Sequence, residues 1–303
     1  MIDLFRSLAH HRPLLRDFVV RDLKARYVGS AMGFFWSIVM PIVNLCVFMV
    51  VFQFVLKSRW GDPTSIEETI AKFGVEAVKF RPLGSGTTEE TALIMLAGIL
   101  VWAAFAETIS RATNSLVENS NLIQKVVFPS EILVPYLAIS SLFNMLIGLP
   151  IVLGGVLYIN EAGVGWPLVT IPLLLLAQVL FTVGLGWLLS IANLFFRDVY
   201  HLIGVGLTVW MFATPIFYPA FMTAKARYYL TDAPDGTGPF IPFYWILELN
   251  PMYWLIESWR RVLVFDLWPN WALFGRFVIL AIAVFLLGAW ALRSKQSRIP
   301  DLL

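Results

Sequence analysis

Six stretches of this chain meet or approach the roughly 20 apolar residues an α-helix needs to cross the hydrocarbon core of a bilayer. They are residues 31–56, 93–117, 132–158, 168–192, 202–222 and 272–292. Charged residues make up 14% of the chain, against about 25% in soluble domains. The expected fold class is therefore an all-α integral membrane protein with six transmembrane helices, read as one domain over 1–303. Residues 241–268 form a seventh, aromatic-rich region broken by Pro242, Glu248, Pro251, Glu257, Arg260 and Arg261. Backbone at membrane depth that does not span must be covered by protein or line a cavity, so this region is expected to form re-entrant helices before the last span.

Six spans put both termini on one side, and Lys and Arg in the short loops set which side. With the N-terminus inside, segments 1–30, 119–131, 193–201 and 293–303 hold 11 Lys/Arg in 63 residues. The opposite segments, 57–91, 159–167 and 223–271, hold 9 in 93. Both termini are expected in the cytoplasm. The divisions are then 1–30 as a cytoplasmic interface helix, 31–222 as spans one to five, 223–271 as outer loop and re-entrant helices, 272–292 as span six and 293–303 as a cytoplasmic tail. The first 30 residues alternate charged and apolar groups and do not resemble a secretory signal, so no cleavage is expected.

From Pro13 the pattern turns helical. Leu15, Phe18, Val19, Leu23 and Tyr27 recur at three- and four-residue steps as one apolar stripe. Asp17–Arg21 and Asp22–Arg26 are acid-first pairs four residues apart. A cationic helix of this kind lies in the membrane interface and attracts anionic groups. It can act as a positive-inside anchor alone, or its cations can also meet a phosphate-bearing substrate.

Glu107 and Arg111 stand four residues apart inside the second stretch. Charges at membrane depth normally face protein or water, so the two are expected as a buried pair, structural or lining a pathway. Aromatics are 15% of the chain. Trp and Tyr gather at bilayer interfaces for physical reasons, which accounts for part of them. Trp210, Phe212, Phe217, Tyr218 and Phe221 cluster in and beyond the fifth stretch; Phe243, Tyr244, Trp245, Tyr253, Trp254 and Trp259 crowd the broken region. Flat aromatic faces suit sugar rings, so channel lining stands beside belt and packing as a reading. The lone cysteine, Cys46, excludes a disulfide framework within the chain, and with three histidines and no H-E-x-x-H run no metal site is expected.

Three motifs carry a resemblance. Arg21-Asp22-Leu23-Lys24-Ala25-Arg26-Tyr27 is followed by Gly33, Trp36 and Pro41; Asn119 to Pro129 reads NSNLIQKVVFP; and Asn250-Pro251-Met252 precedes Arg260 and Arg261. In this order they resemble permeases of type-2 ABC exporters of the polysaccharide group, which move O-antigen, capsule and teichoic acid polymers. The long outer segments 57–91 and 223–240 leave the polymer's identity open.

The resemblance implies a homodimeric channel in the bacterial inner membrane that exports lipid-linked polysaccharide. It implies two separate ATPase subunits, which bind ATP and Mg, so this chain needs no cofactor of its own. The absence of a G-x-x-x-x-G-K-[ST] loop fits that division. Membrane lipids and the polymer are the other expected partners, and no nucleic acid is. Glu118 to Pro129 is implied as the ATPase-coupling helix, with Glu118, Asn121, Gln124, Lys125, Phe128 and Pro129 as contact residues and Leu122, Ile123, Val126 and Val127 as an apolar face. Arg16, Arg21, Lys24, Arg26 and Tyr27 become the cytoplasmic substrate entrance. Trp36, Trp210, Phe212, Phe217, Tyr218, Trp245, Tyr253, Trp254 and Trp259 become candidate channel aromatics. A permease for a drug or lipid is the nearest alternative. A membrane-embedded glycosyltransferase would call for a carboxylate or metal site that the motifs do not supply, and a secondary transporter for inverted repeats that are not evident.

Overall fold

A computed structural model describes residues 2–26, 28–29, 33–48, 50–51, 88–125, 128–159, 165–218, 220, 227–229, 240–242 and 244–303. Two helices open the chain, α1 (Ile2–His10) and α2 (Arg12–Ala25), followed by the apolar α3 (Trp36–Phe48). Next come α4 (Thr88–Glu118), the short α5 (Ser120–Lys125), α6 (Leu133–Ile159), α7 (Ile171–Phe195) and α8 (Val199–Ala213). The last part holds α9 (Tyr244–Glu248), α10 (Pro251–Leu263), α11 (Trp271–Lys295) and α12 (Ile299–Leu302). Strands β1 (Arg227–Tyr229) and β2 (Phe240–Pro242) pair antiparallel, Tyr228 opposite Ile241. This small hairpin falls where only loop was expected, and it leaves the all-α class unchanged.

Four helices among the described residues are long and apolar enough to cross a membrane: Glu89–Glu118, Ser130–Ile159, Trp166–Phe195 and Trp271–Leu302. They coincide with the second, third, fourth and sixth expected stretches. Trp36–Val47 and Val199–Ala213 are apolar but shorter. The far parts of the first and fifth stretches, and most of 57–91 and 223–240, lie outside the described residues.

Local chemistry sets the ends of these helices. Glu89 and Glu90 occupy the first turn of α4 and complement its N-terminal dipole. The Asn270 side chain caps α11, accepting from the amides of Ala272 and Leu273 at 3.1 and 3.4 Å, and Arg293 and Lys295 sit in its last turn. Pro13 lies in the first turn of α2, where its missing N–H costs no helical bond.

Helix α4 is the centre of the bundle, packed against α6, α7, α8 and α10. The closest crossing is between α7 and α11. A Cβ placed on Gly184 would lie 2.5 Å from the backbone of Phe285, and one on Gly288 would collide with the Gly184 carbonyl. Bare glycines let the two backbones touch, as membrane helices do where small residues face each other. Two apolar clusters fill the interior. One gathers Leu96, Phe105, Phe181, Trp259 and Phe277; the other, at the end carrying α1, α2 and α5, gathers Phe18, Leu116, Ile123, Trp187 and Ile299.

At 13 residues, α10 is about 20 Å long, too short for a bilayer core of about 30 Å. It is nevertheless covered on nearly every face, with Met252, Tyr253, Leu255, Ile256, Trp259, Arg260, Val262 and Leu263 all buried. Its N-terminus is held by Asn250, whose Oδ1 accepts from the amides of Met252 and Tyr253 at 3.0 and 3.4 Å. The same Oδ1 accepts from Trp210 Nε1 at 2.9 Å, and Asn250 Nδ2 donates to Thr214 Oγ1 at 2.9 Å. One side chain thus caps α10 and ties it to the end of α8. Pro251 follows at the first helical position.

Candidate functional site

Helix α2 lies against α6. Its apolar stripe turns inward through Phe18, which is buried against Tyr136 of α6 and Phe128 at centroid distances of 5.3 and 5.6 Å. Arg21 closes over the Phe18 ring at 4.4 Å, a cation–π contact. Arg16, Arg21 and Lys24 are exposed, whereas Arg26 is turned toward α4. Tyr27 lies outside the described residues.

Arg26 and Asp22 join Glu107 and Arg111 in one alternating cluster. Arg26 Nη2 reaches Asp22 Oδ2 at 3.1 Å and Glu107 Oε1 at 2.5 Å. Arg111 Nη1 donates to Asp22 Oδ2 at 3.1 Å and to Glu107 Oε1 at 3.3 Å, and Arg111 Nη2 grips Asp22 Oδ1. Glu107 and Arg111 therefore meet along one helix face, and their further partners, Asp22 and Arg26, belong to the N-terminal segment rather than to another long helix. Both are half-buried. Two cations and two carboxylates cancel in charge, which makes such a cluster tolerable at the edge of an apolar core. Burial alone would raise the Asp22 carboxyl, but the Arg111 hydrogen bond and charge, with Arg26 beside it, hold it below its ordinary value.

Next to the cluster a cavity of about 330 Å³ opens between α3, α4 and α6. Trp36, Met40, Leu100 and Met145 form much of its wall, and Arg26 and Glu107 stand at its rim. Apolar walls with paired charges at the mouth suit an amphiphile.

Helix α5 follows α4 with one break, at Asn119. Its backbone amide donates to the Ser115 carbonyl at 3.3 Å, its Nδ2 donates to the same carbonyl at 2.8 Å, and the Asn119 carbonyl starts α5 by accepting from the amides of Leu122 and Ile123. Glu118, Asn121, Leu122, Gln124 and Lys125 are exposed, and Phe128 and Pro129 are part-buried. Ile123 departs from the expected outward apolar face: it is buried in the protein's own core beside Leu116 and Ile299. Val126 and Val127 lie outside the described residues.

The aromatic candidates divide by burial. Trp36, Phe212 and Trp245 are exposed. Phe217, Tyr218 and Trp254 are part-buried; the Tyr218 hydroxyl donates to the Phe212 carbonyl at 2.8 Å, and Phe212 leans on Phe217. Trp210 packs edge-on against Trp102 and Phe105. Tyr253 and Trp259 are buried in the bundle core. Phe221 and Phe243 lie outside the described residues, and the Tyr244 side chain is not described.

Of the two arginines in the third motif, Arg260 is the anchor. Its guanidinium is buried and donates to the carbonyls of Ile94 at 3.1 Å, Pro215 at 2.8 Å and Ile216 at 3.1 Å. It fits because position 98 is glycine: a Cβ there would stand 2.7 Å from Arg260 Nη2. Arg261 makes a surface contact, Nε to the Trp268 carbonyl at 3.0 Å.

A profile of the ABC-2 type transporter family matches residues 15–230, which take in most of α2, the charge cluster and α5. The chain belongs to the ABC-2 type transporter family. It is thus a multi-pass membrane transport protein rather than an enzyme. Among its relatives is the O-antigen export system permease protein RfbA of Myxococcus xanthus, 29% identical over 265 residues, covering 86% of this chain and 84% of that one. Two proteins of the same name from Klebsiella pneumoniae are 25% and 24% identical, covering 80% and 79% of this chain and 76% of each relative. The alternating cluster in this transporter went unread in the sequence as a unit, although its four members were each visible. Two neighbouring charge pairs, one on the interface helix and one in a span, were the signal.

Proposed function

We propose that this chain is the membrane subunit of an ATP-driven exporter that moves a lipid-linked, O-antigen-like polysaccharide across the bacterial inner membrane. The observation that carries this reading is the match to O-antigen export permeases along most of both chains. The geometry supports it: a cationic interface helix is locked by charge onto the helix that ends in an exposed six-residue element, α5.

In this reading two copies of the chain enclose the path, and two ATPase subunits hold ATP and Mg on the cytoplasmic side. The path has six spans per chain, with α3 and α8 as the described parts of the first and fifth, both termini cytoplasmic, and α9 and α10 re-entrant. The ATPase engages Glu118, Asn121, Gln124 and Lys125. Because α5 is hydrogen-bonded to the end of α4, a displacement there passes along α4 to Glu107 and Arg111, and through them to the interface helix. Work reaches the path only if the ATPase binds two arrangements of this unit unequally. Arg16, Arg21 and Lys24 attract the phosphate that links lipid to polymer. The exposed aromatics Trp36, Phe212 and Trp245, with Trp254, offer weak stacking faces to sugars.

Purified chain and its ATPase subunit in proteoliposomes test the reading. ATP-dependent movement of lipid-linked polysaccharide to the far leaflet is the expected result. Movement of a drug or a plain phospholipid, with none of the polymer, would overturn it.

A further inference from the structure

Glu131 follows the coupling segment in the 3-10 turn Ser130–Ile132, where the chain enters α6. It is 5% exposed. A buried carboxylate is costly unless hydrogen bonds hold it, and here two distant parts of the chain hold the carboxylate while a third holds the residue's backbone carbonyl. Oε1 accepts from Ser7 Oγ of α1 at 2.5 Å, and Oε2 accepts from Gln296 Nε2 beyond α11 at 3.2 Å. The Glu131 carbonyl accepts from Nε1 of Trp187, a fully buried residue of α7, at 3.3 Å. The apolar side of the same junction repeats the pattern. Helix α12 packs on α5, Ile299 and Ile123 share one buried cluster, and the Phe128 ring packs at a tilt against Phe18.

We propose that Glu131 is a positioning residue for energy coupling: it fastens the exit of α5 to the first helix and to the tail of the chain. This rests on the reading of α5 as the ATPase contact. A push on α5 moves the long helices only if α5 is mounted rigidly on them. Behind α5 the mount consists of α1, the Ser130–Ile132 turn, α7 and the Gln296–Leu302 tail, and the Glu131 side chain bonds to both Ser7 and Gln296. Without its carboxylate, Ser7 and Gln296 lose their shared acceptor, and α5 can yield to the ATPase without moving α4 and α6.

The test uses the assembled transporter in proteoliposomes, with Gln124→Cys in a Cys46→Ser background as a crosslinking reporter for docking. Glu131→Ala, Glu131→Gln, Ser7→Ala and Gln296→Ala are each assayed for crosslink yield, ATP hydrolysis, polymer moved per ATP and melting temperature. For Glu131→Ala the expected result is an unchanged crosslink, with polymer moved per ATP reduced about fivefold or more. Glu131→Gln keeps one acceptor oxygen and lies between it and the unsubstituted protein. Ser7→Ala and Gln296→Ala each give a smaller loss, and these two keep the test decisive if Glu131→Ala fails to fold. Normal polymer per ATP in the folded variants, whatever their melting temperature, overturns the proposal. A reporter that forms no crosslink in the otherwise unsubstituted transporter overturns instead the assignment of α5 to the ATPase.

Discussion

Arg26, at the C-terminal cap of α2, and Glu107 of the first long helix share an ion pair of 2.5 Å. With Asp22 and Arg111 they make the N-terminal segment part of the bundle instead of a separate raft on the membrane surface. Removing one member leaves an unbalanced charge at the edge of the apolar core. Asp22→Ala is expected to destabilise the protein by about 1.5–3 kcal/mol, the range for hydrogen bonds to charged groups. A double-mutant cycle with Arg111→Ala, read by thermal unfolding in detergent, should return a coupling energy of about 0.5–3 kcal/mol. Strictly additive losses would show that the pair does not bind α2 to α4.

The same contact has a defined pH dependence. The native Asp22 carboxyl titrates below its ordinary 3.8, so the unfolded state takes up protons first as pH falls. The stabilisation is therefore complete above pH 3.8 and is lost as pH drops through the lower native value. Protease protection of residues 12–25 should be flat from neutral pH down to about 5 and fall only in stronger acid. Loss of protection near neutral pH would contradict this.

The two adjacent arginines of the third motif should behave differently. Arg260→Ala removes the charged donor from three buried carbonyls and is expected to cost about 1.5–3 kcal/mol. Arg260→Lys, a compact cation without the planar fork, rescues only part of the loss. Gly98→Ala should resemble a weak Arg260 variant, because its methyl group occupies the space of the guanidinium. Arg261→Ala should stay within about 1 kcal/mol of the unsubstituted protein. Melting temperatures in detergent separate these cases.

Trp245 and Trp259 divide transport from folding. Trp259 is completely buried, so Trp259→Ala should lower the folded protein level through a loss of about 3–5 kcal/mol. Trp245 is 47% exposed. Trp245→Ala should leave the protein level unchanged and slow polymer export, as measured by surface polymer in cells. Normal export would remove Trp245 from the path.

Much of this architecture is legible in the chain because apolar length and membrane thickness are fixed physical scales. The four long helices fall where their apolar runs stand. Asn250-Pro251 reads in the sequence as a break and a motif, and the structure shows that it caps the start of α10. Charge pairs four residues apart are equally plain. Their assembly into one cluster is not, because Asp22 and Arg111 meet through the packing of α2 against α6 and α4, which no local pattern specifies. Burial of aromatics is hidden for the same reason. Trp245 and Trp259 read alike in an aromatic-rich run, and only the covering helices put one at the surface and the other in the core. Glu131 carries no local signal, because its partners, Ser7 and Gln296, come from opposite ends of the chain.

Everything proposed for this transporter requires α5 to face the side from which an ATPase can dock. The most direct test places a single cysteine at Lys125 in a Cys46→Ser background and applies a membrane-impermeant maleimide to spheroplasts and to inverted vesicles. Lys125 is exposed, so labelling is predicted in inverted vesicles and absent from intact spheroplasts. Labelling of intact spheroplasts would put α5 on the outer face and contradict the account.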